Sequence, residues 1–195
     1  MEQYIEILGT AVGIVYLWQE YHASIHLWIT SIILPAIYLY VYYNAGLYAD
    51  FGINIYYLVI ALYGWLAWRH NFSIRGRKSN GKELTISHIE KKRIPILAVL
   101  FLLLWAGITL ILINFTDSTV PLTDAFTTSL SIVGMYMLAR KYVEQWCVWL
   151  VVDIVSSALY VYKELYFTAA LYVVYAIIAI FGYRKWKQMI NYEDD

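Results

Sequence analysis

Apolar residues fall in seven blocks, at 4–18, 26–43, 49–68, 94–113, 122–138, 146–162 and 165–186. Polar or turn-forming stretches at 19–24, 44–46, 69–93, 114–121, 139–145 and 163–164 separate them, and only 69–93 is long. A bilayer core about 30 Å thick takes ~20 residues per helical span, which the blocks approach or reach, the first at 4–18 being the short one. A backbone in lipid must also satisfy its hydrogen bonds internally, which selects helices over isolated strands. The pattern therefore predicts an all-α integral membrane protein with seven transmembrane helices.

Composition strengthens this reading. Of 195 residues, 62% are apolar and 14% charged, with a mean hydropathy of +0.58. A soluble domain is ~45–50% apolar and ~25% charged, so the usual polar coat is missing. A net charge of zero argues against nucleic acid as a partner. The single cysteine, Cys147, permits no internal disulfide. Met1 to Leu8 reads MEQYIEIL, acidic where a secretory signal would be basic, so the first block is expected to stay in the mature protein.

Basic residues give the expected orientation. With seven spans, 13 of the 14 Lys and Arg lie on one side, and only Lys163 lies on the other. The positive-inside rule then predicts a cytoplasmic C-terminus and an external N-terminus. Eight of the 13 sit in segment 69–93, read as a topology-setting cytoplasmic loop rather than a docking site for anionic lipid or an enzyme.

Shifting the sequence by 118 positions aligns Trp28 with Trp146, Tyr42 with Tyr160, Leu47-Tyr48 with Leu165-Tyr166, Tyr57 with Tyr175, Gly64 with Gly182 and Trp68 with Trp186. The match places span two on span six and span three on span seven. It predicts two like-oriented three-helix bundles joined by one helix, with boundaries at 1–68, 69–121 and 122–195. Parallel repeats of this kind occur in transporters, where substrate sites lie near mid-membrane.

One acidic residue lies deep within a span. Asp153 is seven residues into span six, and a charge at such a depth costs ~2.5–3.5 kcal/mol, so it should face a cavity or a partner. Trp146, Trp149, Asp153, Ser156 or Ser157, and Tyr160 follow at helical spacing and define one stripe. Indoles, a carboxylate and hydroxyls together suit an aromatic organic cation. Trp146 as an interfacial belt residue and Asp153 as a structural partner of a hydroxyl are the plainer alternatives. Span three offers Asn54 and Tyr57, span seven offers Tyr172 and Tyr175, and Trp28 joins the set as the repeat counterpart of Trp146. Asn54 would read a polar edge of a substrate or make an interhelical hydrogen bond. Gly64 and Gly182 are expected to permit close helix packing, and Pro35 to kink span two.

Other chemistry is poorly represented. His22 and His26 have helical spacing but no third metal ligand, and no phosphate loop, nucleophile elbow or HExxH motif occurs. Neither a metal nor a cofactor is expected, and no enzyme activity. A retinal protein would need a Lys in the last helix, and 165–183 contains none.

The segments ARKYVEQWCVWLVVDIVSSALYVYKELYFTAALYVV and GLYADFGINIYYLVIALYGWLAW resemble the PnuC-type vitamin transporters, a likeness that covers nearly the whole chain. The resemblance implies a three-one-three helix plan similar to a full-length SWEET sugar transporter. It also implies a bacterial inner-membrane uniporter of unphosphorylated vitamins, which are trapped by cytoplasmic phosphorylation. In the nicotinamide riboside branch the resemblance implies Asn where this chain has Asp153 and Gln where it has Asn54. The wording looks closer to the thiamine branch, called PnuT, so thiamine is the expected substrate and nicotinamide riboside the alternative. A proton-coupled transporter, with Asp153 as the coupling site, and a membrane receptor are further alternatives. Aromatic faces are expected against lipid in any case, so they do not settle whether the chain forms a homo-oligomer such as a trimer.

Overall fold

The computed structural model describes residues 2–45, 48–70, 84–116 and 118–193, with backbone alone at 2–11, 34, 37–38, 40–45, 48–53, 70 and 191–193. Gly46 and Leu47 of the repeat, and Arg75, Arg77, Lys78 and Lys82 of the basic segment, lie outside the described residues, as does the side chain of Tyr42.

The described residues form seven α-helices: α1 (Glu2–Tyr21), α2 (His26–Ala45), α3 (Tyr48–His70), α4 (Ile94–Phe115), α5 (Pro121–Ala139), α6 (Gln145–Tyr162) and α7 (Tyr166–Glu193). A 3₁₀ turn at Lys91–Arg93 leads into α4. The prolines Pro95 and Pro121 open α4 and α5, where a missing N–H costs nothing. α2 continues through Pro35, and α7 runs past the predicted end at 186 to Glu193. Three helical stretches, Lys91–Phe115, Gln145–Tyr162 and Tyr166–Ile190, are long and apolar enough to cross a membrane by the length and composition of their described residues.

The chain divides into two compact units, Met1–Leu84 and Thr85–Asp195. In the first, α1 packs on α2 and α2 on α3. The Thr30 hydroxyl of α2 donates to Gln19 Oε1 of α1 at 2.9 Å. In the second, α4 packs on α5, α5 on α6 and α6 on α7. α4 is held in the second unit by Phe101, Trp105 and Phe126 and by a 2.9 Å bond from Trp105 Nε1 to the Leu122 carbonyl. α4 buries none of its residues, and Leu103 and Ile96 are 68% and 65% exposed. An apolar helix bare on most sides fits lipid as solvent.

Each unit contains the same local device. Trp28 packs edge-on against Trp68 at 5.5 Å and 88°, and Trp146 against Trp186 at 5.8 Å and 89°. Each first tryptophan lies flat over a glycine, Gly64 or Gly182, where a side chain would collide with the indole. The turn before it is duplicated as well. Ala23 and Lys141, 118 apart, both adopt the left-handed backbone conformation, at φ 49° and 52°. Ala23 N–H donates to the Glu20 carbonyl and Ser24 N–H to that of Gln19, both at 2.9 Å. Lys141 and Tyr142 repeat this toward Leu138 and Met137 at 2.9 and 3.0 Å. The duplication therefore reaches the α1–α2 and α5–α6 turns, beyond the helices in which side chains match.

Candidate functional site

α6 is fastened near both ends. Glu144, just before its first residue, bonds to the chain at His88 and Ile89. Lys163, just after its last residue, reaches Asp124 Oδ1 in the first turn of α5 at 3.3 Å, and Ser118 donates to the other oxygen at 2.7 Å. The lone basic residue on its predicted side is thus paired. Between these ties α6 presents the residues singled out above.

Asp153 is 6% exposed, halfway along α6. Ion pairs join His88 to Glu144, Glu90 to Lys92 and Arg93, and Asp124 to Lys163, and none among the described residues supplies Asp153 with a cation. Tyr172 and Tyr175 of α7 lie within its electrostatic reach. They continue a ladder from α6: Tyr160 and Tyr172 are 5.1 Å apart at 33°, and Tyr172 and Tyr175 are 5.6 Å apart at 58°. Ser156 is buried one turn from Asp153, while Ser157 donates to the Ala169 carbonyl at 3.1 Å and so joins α6 to α7. The α6–α7 pair thus combines a buried carboxylate, a hydroxyl and three phenol rings. That donor set suits a cation with a flat ring, which can be neutralised and stacked at once.

The two indoles of α6 have different neighbours. Trp146 is 2% exposed, seated on Gly182 and Trp186 of α7, with a Cβ at Gly182 falling 2.6 Å from its ring. Trp149, three residues on, meets α5, where a Cβ at Gly134 would lie 3.4 Å from its ring. Its buried Nε1 has no hydrogen-bond partner among the described residues. Trp146 thus helps fix the α6–α7 contact that sets the spacing of Asp153 from the tyrosines. In the first unit, Trp28 is fully buried in the equivalent place, Asn54 is buried in α3, and Tyr57 is half-buried beside Tyr56 at 5.6 Å.

The sequence profile of the family described as nicotinamide mononucleotide transporter matches residues 3–188. The chain belongs to that family.

Within this transporter family, the nicotinamide riboside transporter PnuC of Escherichia coli (strain K12) is 22% identical over 94% of this chain and 84% of its own length. The riboflavin/roseoflavin transporter RibM of Streptomyces davaonensis is 26% identical over 93% of this chain and 83% of its own length. A crystal structure of the vitamin B3 transporter PnuC superposes with a TM-score of 0.66 at 22% identity, covering 92% of this chain and 79% of the other. The shared helical fold and the family membership make this chain a PnuC-type membrane transporter. The relatives are named for nicotinamide riboside and riboflavin, not for thiamine, so the expected preference for thiamine gains no support from them.

Sequence reasoning about this family member passed over three residues. His88 and Glu144 are 56 positions apart, and no spacing rule joins them. Gln145 is fully buried at the start of α6, with neither amide atom paired among the described residues. Its position beside Trp146, at a block boundary, was the one available signal.

Proposed function

We propose that this chain is a seven-span facilitative transporter of the bacterial cytoplasmic membrane and that it carries nicotinamide riboside. On this reading the C-terminus is cytoplasmic, the helices follow the three-one-three plan, and phosphorylation inside the cell traps the vitamin. The observation that carries the proposal is Asp153, a buried carboxylate without a paired cation among the described residues, beside the Tyr160–Tyr172–Tyr175 ladder. Nicotinamide riboside brings a pyridinium to that carboxylate and a flat ring to those phenols. Trp149 and Ser156 complete the proposed contacts on α6, and Trp146 acts as their support. The names of the relatives support this substrate over thiamine.

Thiamine is retained as the second reading because of one residue. Asp153 stands where the resemblance implies Asn in the nicotinamide riboside branch, and a thiazolium would gain the same charge compensation. Purified protein in liposomes, with no ion gradient, should exchange labelled nicotinamide riboside more readily than thiamine or riboflavin. Exchange of thiamine alone would reverse the order of the two readings, and exchange of neither cation would reject both. Accumulation that collapses when a pH gradient is dissipated would replace uniport with proton coupling.

A further inference from the structure

The segment at 84–90 leaves the basic loop and enters α4, yet it is fastened to the turn that opens α6. Ser87 N–H donates to the Lys141 carbonyl and Val143 N–H to the Ser87 carbonyl, both at 3.0 Å, a two-bond parallel bridge. Glu144 adds a two-pronged clamp: Oε1 lies 2.7 Å from His88 Nδ1, and Oε2 accepts from Ile89 N–H at 3.0 Å. Ile89 then packs on Val133, Met137 and Tyr142. Lys141, whose carbonyl takes part, holds the left-handed conformation that bends the chain here. At the corresponding turn of the first unit Ser24 stands where Tyr142 does and Gly-free Ile25 and His26 where Val143 and Glu144 do, so the carboxylate belongs to one repeat only.

We propose that Glu144 is a positioning residue for transport: with His88 and Ile89 it forms a latch that fastens the 84–90 segment to the opening turn of α6. A carboxylate that accepts from two donors at once ties its own orientation to the segment that supplies them. The charged and titratable groups around it are Glu90, Lys92 and Arg93 on the same segment, Tyr136 on α5, Arg140, Lys141 and Tyr142 at the turn, and Cys147 on α6. Hydrogen bonding from Lys92 holds the Glu90 carboxyl below its ordinary range. An exposed ion pair alone is worth little. Here it is added to two backbone bonds, the Ile89 N–H bond to Oε2 and a half-buried isoleucine, and it acts two residues before Trp146, whose seat on Gly182 sets α6 against α7.

The role in transport rests on the function proposed above, whereas the latch itself is read without substrate. Hydrogen exchange on the full chain in lipid nanodiscs should show peptides covering 84–90 and 140–146 several-fold less protected in E144Q than in the wild type, and 84–90 less protected in H88Q. Wild-type protection in E144Q overturns the latch, and wild-type protection of 84–90 in H88Q removes His88 from it. In liposomes, both variants should lower the maximal rate of nicotinamide riboside counterflow several-fold while its equilibrium binding is unchanged. An unaltered rate with a loosened segment overturns the positioning role. If the wild-type protein does not move nicotinamide riboside, the substrate reading fails, and exchange still decides the latch.

Discussion

At the scale of the residue, burial and charge give Asp153 and the glycine seats their meaning. Asp153→Asn keeps the shape of the side chain and removes the charge. Binding of nicotinamide riboside, read by intrinsic fluorescence, should weaken about tenfold, or ~1.4 kcal/mol. Unchanged affinity would make Asp153 structural. Gly182→Ala drives a methyl group into the Trp146 indole and should cost about 1–3 kcal/mol of stability, seen as a lower unfolding midpoint in detergent. Adding Trp146→Leu should recover part of that loss, because the collision is with the ring. Gly64→Ala should behave alike against Trp28. Gly107 on α4 has open space around it, so Gly107→Ala should leave the midpoint essentially unmoved or raise it slightly.

Between helices, tethers at the ends and contacts along the middle do different work. Lys163→Met breaks the pair with Asp124, but both side chains are partly exposed, so the expected loss is under about 1 kcal/mol by chemical denaturation. Trp105→Phe should cost more of the α4–α5 contact, since it removes the bond to the Leu122 carbonyl as well as part of the aromatic cluster. Helix positions were largely readable in the sequence because each apolar block is longer than the few turns that helix nucleation requires and is bounded by polar or turn-forming residues. Their partners were less so. The indoles at 146 and 149 read as one stripe, and spacing does not reveal that one meets a glycine of α7 and the other a glycine of α5. The repeat was visible where tryptophan and glycine recur. It was invisible at Ala23 and Lys141, where only a backbone angle is shared and the side chains have nothing in common.

For the whole molecule, orientation is the testable consequence of charge. In a Cys147→Ser background, Thr85→Cys should react with a membrane-impermeant thiol reagent in inverted vesicles, and Thr119→Cys in intact cells. Both positions are exposed, one before α4 and the other after it. Labelling of both from the same side would mean that α4 does not cross. The sequence by itself determined the helical membrane class, the number of apolar blocks, the duplication and the family resemblance. Those follow from composition and spacing, which are properties of a one-dimensional string. Tertiary structure decided what is paired: Glu144 with His88, Lys163 with Asp124, Trp146 with Gly182, and Tyr160 with Tyr172. Such pairings join residues far apart in the chain, and the free energy that selects them arises only when the helices pack.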